Sequence, residues 1–79
     1  MPRFYFHYRD GGRRRDDPEG VVLPDAEAAW YQAVRSAREI VKHDMRIGCL
    51  RPGQCVEIVD ETGQAINAVL LDEVVGLAT

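Results

Sequence analysis

The stretch from Tyr8 to Gly20, YRDGGRRRDDPEG, gathers the side chains best suited to binding chemistry: Arg13, Arg14 and Arg15 in a row, with acids on both sides. The planar fork of an arginine donates two parallel hydrogen bonds to a phosphate, so the triplet raises a phosphate or nucleic-acid site. Charge counting weighs against it. Arg9, Arg13, Arg14 and Arg15 stand against Asp10, Asp16, Asp17 and Glu19, four positive charges against four negative. A field that cancels locally cannot steer a polyanion, and interleaved acids repel phosphates at short range. A calcium loop spaces oxygen ligands at alternate positions, and here three arginines occupy that interval. A phosphate loop needs Gly-x-x-x-x-Gly-Lys-Ser/Thr, and the chain has no such string. The stretch reads first as a self-paired, solvated hairpin, and second as a contact for a partner protein.

The soft metal ligands are His7, His43, Cys49 and Cys55. Cys49 and Cys55 lie six positions apart across Pro52-Gly53, which is not the close pair that gives zinc two ligands from one turn. Two cysteines are also too few for a disulfide framework. Cys55 reads as a small apolar strand residue. His7 has no nucleophile tied to it by any motif and reads as a packing or hydrogen-bonding histidine. His43, near a helix end, suits the dipole when charged. Ser36 lacks the flanking glycines of a nucleophile elbow. No catalytic, metal or cofactor-binding residue is assigned, no cofactor is expected, and an enzyme is the last of the functional readings.

Composition sets the frame for these side chains. The 79 residues are 46% hydrophobic and 29% charged, as in an ordinary globular domain, and length predicts a single domain over residues 1–79. The net charge of −3 draws the chain neither to nucleic acid nor to anionic lipid. There is no run of eighteen apolar residues, and charge already stands at the start, MPRFYFHYRD, where the apolar part of a signal peptide would sit. The expectation is a cytoplasmic protein with reduced thiols and no membrane contact. A core this small supplies only about 3–5 kcal/mol. Oligomerisation is the natural supplement.

The elements that hold these residues follow from pattern. Arg3–Arg9 is an aromatic strand, with Phe4, Phe6 and Tyr8 on one face and Tyr5, His7 and Arg9 on the other. Asp10-Gly11-Gly12 is a hairpin turn. A second, irregular strand takes in Arg13–Arg15, breaks at Pro18 and resumes at Gly20–Leu23. Asp25 caps a helix of about six turns whose apolar stripe is Ala26, Ala29, Trp30, Ala33, Ala37, Ile40, Val41 and Met45, closed by Gly48. Core, rather than a stacking platform for bases, is the place assigned to Trp30. Pro52-Gly53 is a turn, Cys55–Asp60 and Ala65–Leu71 are strands joined through ETGQ, and residues 72–79 are a tail that frays or docks.

The predicted fold is therefore α+β, in the order β-β-α-β-β: a mostly antiparallel four-stranded sheet with one long helix packed on one face. Apolar residues stand on both faces of each strand, more than one helix can cover. Either the tail folds over the open face or a second subunit does, and a homodimer is the preferred answer. The expected interaction surface is Tyr5, His7, Val59, Val69 and Leu71, with Arg13, Arg14 and Arg15 at its edge. A one-residue shift in the last strand would exchange Ile66 and Leu70 for Asn67 and Val69.

MPRFYFHYRDG, EGVVLPDAEAAW and VEIVDETGQ together resemble a family of short uncharacterised bacterial proteins, a domain of unknown function. Its pattern is an aromatic Met-Pro-Arg start, an Arg-Asp-Gly turn, a Leu-Pro-Asp helix start and a Val-x-Asp-x-x-Gly hairpin. The resemblance covers nearly the whole chain and implies a compact α+β domain and no activity. The chain departs from that pattern in its basic Arg13–Arg15 and in polar Asn67. A fainter likeness, of layout only, is to the antitoxin halves of small toxin–antitoxin pairs. The functional expectation is a small non-enzymatic module that self-associates and binds another protein. An antitoxin-like or regulatory nucleic-acid-associated protein is the alternative, and a small enzyme comes third.

Overall fold

The computed structural model describes residues 1–48 and 53–78. Cys49 and Pro52 fall outside them, so the expectations placed on those two residues do too. The elements are β1 (Arg3–Asp10), β2 (Arg13–Arg15), β3 (Val21–Val22), α1 (Ala26–Ile47), β4 (Cys55–Val59), β5 (Ala65–Leu70) and α2 (Leu71–Ala78). Every strand pairing is antiparallel, and the sheet order is β2-β1-β4-β5. The irregular second strand resolves into β2 and β3, which pair with different stretches of the same edge of β1: Tyr8–Asp10 with β2, and Arg3–Phe4 with β3.

The helix begins and ends where its caps dictate. The Asp25 side chain accepts from the Ala28 amide at 2.8 Å, filling one of the donors the first turn leaves open. At the other end Gly48 adopts the left-handed conformation at φ +71°, and its amide returns to the carbonyls of Asp44 and Met45. Ala29, Ala33, Val34, Ala37 and Val41 are buried between α1 and the sheet. Three members of the expected stripe are corrected: Ala26 is exposed, Trp30 is 38% exposed and Met45 59%. The alanines at four-residue steps let the helix lie close to the strands, so an indole has no depth beneath it. Trp30 sits instead on the flank, edge-on to Tyr31 with ring centroids 5.2 Å apart.

The sheet completes the core with Phe4, Val56, Ile58 and Val69, with Phe6 and Tyr8 partly buried against them. The last strand stops at Leu70, one residue before the expected end, and the tail continues as α2. Leu71 and Val74 of that helix join the same core, and α2 packs on α1. Both helices therefore cover one face of the sheet, and the tail leaves the other face uncovered by any helix.

Candidate functional site

The open face is assembled from alternate residues of four strands. Tyr5, His7 and Arg9 of β1 stand across from Val59, Glu57 and Cys55 of β4. Arg14 of β2 flanks Arg9, and Ala68 and Leu70 of β5 flank Glu57 and Cys55. Arg9 and Arg14 are directly opposed, an arrangement that costs stability unless an acid intervenes. Glu57 is that acid: its carboxylate lies 3.5 Å from Arg9 and 3.9 Å from Arg14. Arg14 also meets Asp16 at 2.6 Å. The middle arginine of the triplet is thus held by acids of its own chain, as self-pairing requires. Arg13 and Arg15 have no carboxylate within 4 Å among the described residues.

His7 is a hydrogen-bond acceptor. Its Nδ1 accepts from the Asp17 backbone amide at 3.0 Å. The Asp16 carboxylate lies 3.7 Å from the same nitrogen. The ring stacks with Tyr5, centroids 6.4 Å apart, and serves as a bracket for the loop that crosses the sheet edge.

That loop is organised by Asp17. Between the stretches paired with β2 and β3, the Phe6 amide of β1 would lack a partner, and Asp17 Oδ2 accepts from it at 3.2 Å. Oδ1 accepts from Glu19 and Gly20 amides at 3.3 and 3.1 Å, and the Arg3 guanidinium donates to the Glu19 carbonyl at 2.7 Å. Gly20, at φ +69°, lies so close that a Cβ would stand 2.7 Å from the Phe4 carbonyl oxygen and 2.9 Å from the Tyr5 ring. Only glycine satisfies both demands.

The last strand needs a correction of face. Val69 and Leu71, expected on the open face, are buried in the core with the helices. Ala68 and Leu70 face outward with Glu57 and Cys55, Leu70 remaining 43% exposed, and Ile66, 39% exposed, sits in the bulge opposite Ile58. Residues 65–71, AINAVLL, are apolar in both alternations, so period alone could not choose. A bulge opposite Ile58/Val59 and the turn into α2 at Leu71 decide it. Of the expected surface, then, Tyr5, His7 and Arg14 lie on the open face, and Val59 lies there but is buried. Arg13 and Arg15, paired with Asp10 and Tyr8, belong to the alternation of the opposite face, where Arg15 lines a groove beside the helix. Ile66 and Leu70 were missed in favour of Val69 and Leu71, and the one-residue shift was the signal that would have found them.

On the helix side, Tyr8, Asp10, Arg15, Glu39, Ile40, His43 and Asp44 line a groove of about 520 Å³. Beside it Gln54, fully buried, donates to the Tyr8 hydroxyl at 2.7 Å and to Asp44 Oδ2 at 2.8 Å. Such a network ties the helix end to the sheet. It carries no nucleophile beside a base, and no group of three or more His, Cys, Asp and Glu side chains is placed to hold a metal ion among the described residues. Cys55 has its thiol pushed above its ordinary value, chiefly by burial, with Glu57 raising it further and Arg9 opposing. That leaves it a poor nucleophile at neutral pH.

No described helix is long and apolar enough to cross a membrane. The model of one protein family, described as "Domain of unknown function (DUF6894)", matches residues 3–72 of the chain. No curated protein and no solved structure matches it.

Proposed function

The chain belongs to the DUF6894 family, a domain of unknown function, and on that premise we propose a small non-enzymatic interaction module that self-associates and binds another protein. The observation that carries this is the outward side of β5. Ile66 and Leu70 present apolar surface around Ala68 while both helices are committed to the opposite face. In a chain this small, covering that surface adds to a thin margin of stability. The module acts as a homodimer in the bacterial cytoplasm, where Cys55 stays reduced. The ion pairs of Arg14 with Asp16 and Glu57 speak for a structural use of the central arginine over recognition of a polyanion. Sedimentation velocity at micromolar concentration tests the proposal. A dimer that dissociates on dilution is the expected result, and a strict monomer overturns it. A mobility shift of a short duplex that weakens steeply with salt would put the regulatory, nucleic-acid reading in its place.

A further inference from the structure

We infer that the self-association proposed above runs through the outer edge of β5, which pairs antiparallel with β5 of a second copy about a two-fold axis at Ala68. The inference rests on that reading and names its surface and its partner. β5 ends the sheet order β2-β1-β4-β5, so among the described residues no strand pairs with its outer side. Natural sheet edges are blunted by charge, proline or cover, because a bare row of amides and carbonyls invites another strand. AINAVL carries no charge and no proline.

The choice of partner follows from the strand's own symmetry. Asn67 and Val69 pair with Ile58 and Val56, and the next amide along, Leu71, donates to the Gln54 carbonyl at 3.0 Å. The backbone groups of Ala68 and Leu70 therefore point away from β4, while Ile66 sits in the bulge opposite Ile58. An axis at Ala68 pairs the outward amide and carbonyl of Ala68 with those of the partner's Ala68, and brings exposed Leu70 alongside the partner's exposed Ile66, and the reverse. Beyond Leu70 the chain turns into α2, so the paired stretch is AINAVL, which brings no charge to the seam. No like charges meet. The joined sheet would run β2-β1-β4-β5 and then the same strands in reverse.

Asn67 has a part in this. Its Oδ1 accepts from the Ala68 amide at 2.8 Å, so the central donor of the edge is held by a neighbouring side chain. On pairing, that amide passes to the partner's Ala68 carbonyl and the carboxamide swings aside. Asn67 is thus a competitor built into the edge, which keeps association reversible.

Sedimentation equilibrium of the full chain, with circular dichroism as the folding control, tests the inference. Ala68→Pro removes the outward amide and leaves the β4 ladder intact; it should weaken the dimer about thirtyfold, as the loss of two main-chain hydrogen bonds would. Asn67→Val removes the competing acceptor and should tighten the dimer several-fold. Should Ala68→Pro fail to fold, amide exchange on the wild type decides: Ala68 and Leu70 gain protection with protein concentration if the edges pair. A wild-type dimer that folded Ala68→Pro leaves unchanged overturns edge pairing, and so does exchange at Ala68 and Leu70 that ignores concentration; either leaves self-association standing. A wild-type monomer overturns both.

Discussion

The two edges of this sheet are finished in opposite ways. The outer edge of β1 is met twice, by β2 at Tyr8–Asp10 and by β3 at Arg3–Phe4, and Asp17 fills the gap at Phe6. Charge is dense there, and Glu57 and Asp16 hold Arg14 in place. Among the described residues, the outer edge of β5 has only the Asn67 carboxamide folded back on Ala68, and its exposed large side chains, Ile66 and Leu70, are apolar. One edge satisfies its backbone within the chain and repels strangers. The other holds its central donor by a single replaceable hydrogen bond. The contrast separates residues that build the fold from residues available to a partner, and it predicts that substitutions at the first edge cost stability while those at the second change association.

The largest effect is expected at Gly20. Gly20→Ala must adopt a positive φ and push against the Phe4 carbonyl and the Tyr5 ring, which should cost about 3 kcal/mol in denaturant titration. Asp17→Ala comes next, since three backbone amides lose their acceptor at once. A loss of about 2 kcal/mol, or about 10 °C in the thermal midpoint, is the expected outcome; an unchanged midpoint would show that water replaces the carboxylate without penalty. Glu57→Gln leaves Arg9 and Arg14 facing each other, and because those arginines are half exposed the cost should be only about 0.5 kcal/mol, shrinking in high salt. If salt leaves that difference untouched, Glu57 matters by packing and not by charge.

A smaller effect belongs to the turn that leads into the open edge. The Asp60 carboxyl accepts from the Thr62 hydroxyl at 2.6 Å, the Thr62 amide at 2.9 Å and the Gln64 amide at 3.0 Å. These bonds, the hydroxyl's first, hold its pKa below the ordinary 3.8. A depressed carboxylate contributes stability that is fully present above 3.8 and is lost as pH falls through the lower, folded-state value. Asp60→Ala should therefore differ from wild type at neutral pH and converge with it in acid, as read from unfolding curves at a series of pH values. A constant gap would assign the turn's stability to something other than the charged carboxylate.

Local devices carried much of the fold into plain sight in the sequence. Asp25 and Gly48 bound the helix because cap chemistry depends on a few adjacent residues, and Asp60 with Gly63 marked the second hairpin for the same reason. That acids of its own chain would meet the arginine stretch could be expected because charges can be counted without coordinates, and the structure shows it for Arg14. Which acids do the pairing could not be read there: Glu57 lies far from Arg14 in sequence and reaches it only through strand register. Asp17 was legible only as one of four acids. Its use as a plug depends on the gap between β2 and β3, which exists only once both have paired with β1.

By itself, then, the sequence determined the long helix set between strands, the ends of α1, the hairpin turns and the excess of apolar strand faces. Each of these is written in a period or a cap a few residues long. Tertiary structure alone decided which side of AINAVLL turns inward, that Trp30 lies on the flank of the helix, and that the tail becomes a second helix on the face already covered. The physical reason is shared. Where a segment is apolar in both alternations, or a side chain is too large for the gap the alanines leave, local preference is degenerate, and only the packing of distant segments breaks the tie.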